Sequence, residues 1–190
     1  LAWQEATTLA LGVTRGVAAL HHAGIVHRDL KPANIVLRQT SAGIVPTIID
    51  LGIGKAAATV GDPELCATLT ATGQVLGTPQ YMSYEQALGQ RDIDARSDVW
   101  ALGVILYEML VGKRPFDAPN TNAVLAAIRR SAVKPIREVA SDVPEAVAHV
   151  VERCLTPDRS ARFDDAHALA LALEAAMKEP QRATPVQPRR

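Results

Sequence analysis

A mainly α-helical domain with one small β-hairpin is the fold class this sequence predicts, and three patterns predict it. Apolar residues recur at three- and four-residue spacing over much of the chain. Residues 99–111 are almost continuously apolar, which marks a helix buried on every side. Only two short β-branched runs, residues 34–37 and 46–49, break the helical pattern. The turn-formers Ser41-Ala42-Gly43 separate them, as in a hairpin. At 190 residues the chain suits one domain, able to bury roughly 70% of its unfolded surface.

In chain order, residues 4–22 place Leu9, Val13, Val17 and Leu20 on one helical face, and Gly24 stops that helix. His21 and His22, at its end, favour the helix dipole better than they suit a metal. The hairpin follows. Periodicity then disappears from residue 54 to residue 77, where Thr59, Thr68, Thr70, Thr72 and several glycines predict a long functional or disordered loop. Ser97-Asp98 opens the buried helix, with Ser97 as its N-cap. Three further helices are expected over residues 121–130, 144–155 and 164–178. Pro144 stands at a first helical position, and Leu169, Leu173 and Met177 form one stripe. Pro180 ends the last helix, so the domain spans residues 1–178 and residues 179–190 read as a Pro/Arg-rich disordered tail or linker.

Composition narrows the function. Lys+Arg and Asp+Glu number 20 each, which points away from a nucleic-acid partner. Cys66 and Cys154 are too few for a disulfide framework and lack zinc spacing, so two reduced thiols in a cytoplasmic protein are expected. The apolar run at 99–111 is too short to span a bilayer and Glu108 interrupts it. Trp3 and Trp100 read as packing residues.

The most informative segment is His27-Arg28-Asp29-Leu30-Lys31-Pro32-Ala33-Asn34, followed by Asp50-Leu51-Gly52. It resembles the catalytic loop and magnesium-binding motif of protein kinases. Downstream, Gly77-Thr78-Pro79-Gln80-Tyr81-Met82-Ser83-Tyr84-Glu85 resembles the end of a kinase activation segment. The resemblance covers about residues 4–178 and is to bacterial Hanks-type (eukaryotic-like) serine/threonine kinases. It implies the helical carboxy-terminal lobe of the kinase fold with the amino-terminal lobe absent, because no Gly-rich loop or strand-borne phosphate Lys precedes the motif.

The implied chemistry is phosphoryl transfer from ATP, with Mg²⁺, to Ser and Thr hydroxyls of protein substrates. That reaction needs an oriented hydroxyl, metal on the phosphates and positive charge where negative charge develops. Asp29 can orient the hydroxyl and accept its proton, and Lys31 can neutralise the transferred group. Asn34 and Asp50 are hard oxygen ligands suited to Mg²⁺. Lys31 also resembles the serine/threonine branch, and Val36 occupies the position beneath the adenine ring.

By the same resemblance Thr78 bonds Asp29 and Lys31, Glu85 pairs with Arg162, and Asp98 holds the catalytic-loop backbone. Arg28 receives a phosphate from the loop, with Thr70 and Thr72 as the sites. Leu51 departs from the usual Phe and Tyr84 from the usual Pro, and the segment between Asp50 and Glu85 is long. Ala33 stands where kinases directed by basic residues often carry Glu. The missing amino-terminal lobe is the expected partner, and a membrane anchor beyond the tail would make this the cytoplasmic domain of a larger kinase. A pseudokinase or orphan lobe acting as a protein-binding scaffold is the alternative, but it has no chemical need for Asp29, Lys31, Asn34 and Asp50 together. A small-molecule kinase is disfavoured by the long Thr-bearing loop.

Overall fold

The structure, a computed structural model, describes residues 1–41, 43–50 and 79–179. Their order is α1 (Trp3–His22), β1 (Ile35–Thr40), β2 (Gly43–Ile48), α2 (Tyr84–Ala87), α3 (Ala95–Val111), α4 (Thr121–Arg130), α5 (Ile136–Val139), α6 (Glu145–Cys154) and α7 (Ala166–Lys178). Single 3-10 turns occur at Pro32–Asn34, Pro79–Tyr81 and Arg159–Ala161. The expected class, mainly helical with one hairpin, is what these residues form.

The apolar run becomes α3, in which every residue from Ser97 to Tyr107 is buried. α1, α6 and α7 pack against it, and α1 and α6 also pack against α7. A helix surrounded in this way needs no polar face, which is why its sequence shows none. Trp100 is wholly buried and stacks on Phe116 with ring centroids 5.4 Å apart. Glu108 leaves this core by accepting the Tyr81 hydroxyl at 2.5 Å. No helix among the described residues is long and apolar enough to cross a membrane.

β1 and β2 pair antiparallel, with Ile35 opposite Ile48 and Thr40 opposite Gly43. The hairpin lies against α1 because α1 offers it glycines. A Cβ on Gly12 would stand 2.6 Å from Pro46 Cγ, and one on Gly16 would stand 3.1 Å from Ile48 Cδ1. Gly24 ends α1's exit turn at φ +74°, a conformation open to glycine at little cost.

Several boundaries differ from expectation. α3 begins before Ser97: its N-cap is Asp94, whose side chain accepts from the Arg96 N–H at 2.9 Å. Ser97 instead lies inside the helix, buried, and bonds Ser83 Oγ at 3.2 Å. α7 likewise begins after Asp165, its cap, while Asp164 reaches sideways to Arg96. Pro144 precedes the first residue of α6 and accepts from the Ala148 N–H through its carbonyl. The short helices α2 and α5, four residues each, went unanticipated because one turn carries too little periodicity to read. The loop threonines, Leu51, Cys66, Thr78 and the tail beyond residue 179 lie outside the described residues.

Candidate active site

The loop between α1 and β1 is built around a buried carboxylate. Asp98, on the first turn of α3, accepts from the backbone N–H of His27 at 2.7 Å and of Arg28 at 2.8 Å. These charge-assisted bonds hold Arg28 at φ +65°, a left-handed conformation that costs an L-residue about 1–2 kcal/mol. From there the chain carries Asp29 and Lys31 to the same side. Lys31 Nζ donates to Asp29 Oδ2 at 2.9 Å, and both side chains are about four-fifths buried.

Pro32–Asn34 then turns the chain into β1. Asn34 is buried and donates its Nδ2 to the Asp29 carbonyl at 2.9 Å, so its amide oxygen is the end left to accept. The Ile49 N–H donates to the Asn34 carbonyl at 2.9 Å, extending the ladder by one pair and setting Asp50 one residue beyond Asn34's partner. Asp50 carries an exposed carboxylate on a backbone at φ +58°. Val36 lies on β1, opposite Thr47, and is 40% exposed. Thus Asp29, Lys31, Asn34 and Asp50 come from one loop and the adjoining hairpin. The Arg28 guanidinium points elsewhere, donating to the Ile93 carbonyl at 3.4 Å.

Glu85 and Arg162 meet in the interior, with Arg162 Nη1 and Nη2 donating to the two carboxylate oxygens at 3.0 and 2.8 Å. Arg162 spends its remaining donors on the carbonyls of Thr156, Pro157 and Arg96, and its guanidinium lies 4.8 Å from the Trp100 ring centroid. Burial alone would raise the Glu85 carboxyl, but the Arg162 hydrogen bonds and charge outweigh it and hold the group below its ordinary range. Tyr84, where the related motif has Pro, is the first residue of α2 and packs partly buried against the core.

Three positions were not foreseen as part of this architecture. His21 Nε2 bonds Asp98 Oδ2 at 2.9 Å while its Nδ1 accepts from the Ala166 N–H at 3.1 Å, which assigns the proton to Nε2. It therefore joins α1, α3 and α7 rather than merely answering a dipole. Tyr81 and Glu108 form the second unforeseen contact. Burial foremost, then the Glu108 carboxylate, push the Tyr81 phenol far above its usual range. A lone carboxylate in an apolar helix was the available signal, since such a group needs a partner.

Comparison with known proteins gives the family. The family model described as "Protein kinase domain" matches residues 1–173. The serine/threonine-protein kinase pkn2 of Myxococcus xanthus is 37% identical over 174 residues, covering 90% of this chain and 20% of its own length. The serine/threonine-protein kinase PknA of Corynebacterium glutamicum is 38% identical over 164 residues, 84% of this chain and 31% of its own. The tyrosine-protein kinase MasK of Myxococcus xanthus is 39% identical over 155 residues, 82% of this chain and 22% of its own. The chain spans only about a fifth to a third of the length of these relatives. With a match over nearly its whole length and bacterial kinases among its relatives, the chain belongs to the protein kinase family, with the bacterial Hanks-type serine/threonine kinases.

Proposed function

We propose that the protein to which this chain belongs transfers the γ-phosphoryl group of ATP to Ser and Thr hydroxyls of proteins. Residues 1–178 would be the helical carboxy-terminal lobe of its catalytic domain, and 179–190 a linker. The observation that carries this reading is the Asp29–Lys31 pair on a loop whose backbone Asp98 grips. In that geometry the Asp29 carboxylate orients the acceptor hydroxyl and receives its proton, and Lys31 meets the charge on the transferred group. Thr78 would steady both, and Val36 would lie under the adenine.

The donor set suits Mg²⁺, which binds through one or two protein oxygens and completes its shell with water and phosphate. The Asn34 amide oxygen and the Asp50 carboxylate are such oxygens. When bound, the cation neutralises phosphate charge.

Replacing Asp29→Asn in the full-length protein is expected to lower kcat by about 10²–10⁴-fold with ATP affinity retained. Unchanged transfer from radiolabelled ATP would overturn the reading. The isolated 190 residues should transfer little, because the phosphate-binding half of the cleft would lie upstream, encoded with a Gly-rich loop and a strand Lys. One relative bears the name tyrosine-protein kinase, so phosphoamino-acid analysis decides the acceptor: phosphoserine and phosphothreonine are expected, and a predominance of phosphotyrosine would refute that part. Arg28 is the proposed receiver of a phosphate on Thr70 or Thr72, to be sought by phosphopeptide mapping of the active enzyme. The location proposed is the cytoplasm, where ATP is abundant and the buried free thiol of Cys154 stays reduced; a downstream membrane anchor is compatible with it.

A further inference from the structure

The Arg28–Asp29 peptide plane is held from both of its polar ends. The Asp29 N–H donates to His27 Nδ1 at 3.3 Å, and the Arg28 carbonyl accepts from Gln86 Nε2 at 2.8 Å. Gln86 belongs to α2, more than fifty residues away, and its other end is equally occupied. Its Oε1 accepts from the Ser83 N–H at 2.9 Å, and its own N–H donates to Ser83 Oγ at 3.3 Å, the reciprocal pattern of a capping box. A cap alone needs only the Oε1. The amide nitrogen has a separate task.

From this we infer that Gln86 is a positioning residue for Asp29, acting through the Arg28 carbonyl; the inference rests on the phosphoryl-transfer reading above. Arg28 sits at φ +65°, so relaxation of its backbone is downhill once an anchor is lost. Asp98 fixes the N–H side of Arg28 and Gln86 fixes the carbonyl side. The orientation of that peptide sets the direction in which the Asp29 side chain leaves the loop. Because Gln86 directly follows Glu85 within α2, the end of the segment and the aim of the carboxylate are coupled through one amide group.

Gln86→Glu separates the two tasks. The new side chain has the same shape, still accepts from the Ser83 N–H, and is as good a capping-box partner. Its second oxygen, however, faces the Arg28 carbonyl with no proton to give. In the full-length protein the melting temperature should fall by no more than the few degrees that one lost hydrogen bond costs, while amide exchange in a peptide covering residues 26–31 quickens by about tenfold. Transfer to casein should show kcat lowered by about tenfold or more with KM for ATP unaltered. Gln86→Met, which loses the donor and the capping Oε1 together without placing an oxygen against the carbonyl, should lower the melting temperature as well as change exchange and kcat in the same direction, and serves if the Glu variant folds poorly. Exchange and kcat both at wild-type values would overturn the inference and leave Gln86 a cap only. Faster exchange with unchanged kcat would also overturn it. Faster exchange in a protein whose wild type transfers no phosphate would refute the phosphoryl-transfer reading while leaving the clamp itself standing.

Discussion

Arg28 and Asp50 hold positive φ without being glycine, and both flank the candidate site. Such conformations persist only where the surroundings over-determine them, as the Asp98 and Gln86 bonds do for Arg28. The Glu85–Arg162 pair shows the same principle for charge. Both groups are almost fully buried, and all the guanidinium donors are used. Replacing either partner strands the other, so Glu85→Gln or Arg162→Met should cost about 3–5 kcal/mol in urea unfolding, and the double replacement less than the sum. The pH dependence follows from the lowered Glu85 carboxyl. Its contribution to stability is complete above the ordinary carboxyl value of 4.5 and is lost as pH falls below it through the folded-state value. Wild-type unfolding midpoints should therefore decline below about pH 4.5, and the Glu85→Gln variant should lose that part of the decline.

Among the elements, α3 and α6 approach closely enough that no side chain fits between them at Gly103. A Cβ there would stand 2.5 Å from Cys154 Cβ and 3.3 Å from Leu155 Cδ2. The Cys154 thiol is fully enclosed at this contact, and burial pushes it up to about 12, so it stays a protonated apolar filler. Gly103→Ala should destabilise by about 1–3 kcal/mol in a thermal or urea melt, even though alanine is the better helix former. Element existence was legible where periodicity was long: α1, α3, α4, α6 and α7 all lie where apolar spacing placed them. Their starts were less so. Asp94-Ala95-Arg96-Ser97 contains two good caps, and the choice fell to Asp94 because Ser97 is needed by Ser83 in the interior. That partner is distant in sequence and local pattern does not show it.

At the scale of the molecule, one buried carboxylate joins three regions. Asp98 takes hydrogen bonds from His21 at the end of α1 and from two loop amides, and His21 passes the connection to the first residue of α7. Asp98→Ala would leave buried donors without an acceptor, and should cost about 2–5 kcal/mol together with faster exchange of the His27 and Arg28 amides. His21→Phe fills similar space but breaks the bridge, and should loosen the start of α7 in the same exchange experiment. An effect confined to α1 would contradict the bridge.

Local sequence alone determined the mainly helical class, the hairpin, the central buried helix and the family, because short-range spacing and contiguous motifs carry that information. It also named Asp29, Lys31, Asn34 and Asp50 through their resemblance, each within a few residues of a recognisable turn or strand. The resemblance also named the Asp98 grip on the loop backbone and the Glu85–Arg162 pair. Only the tertiary structure decided the rest of what restrains the site: the His21 bridge and the Gln86 amide on Arg28 join residues dozens of positions apart. A polar side chain reveals its partner only after the packed core has brought the two together and excluded the water that would otherwise serve.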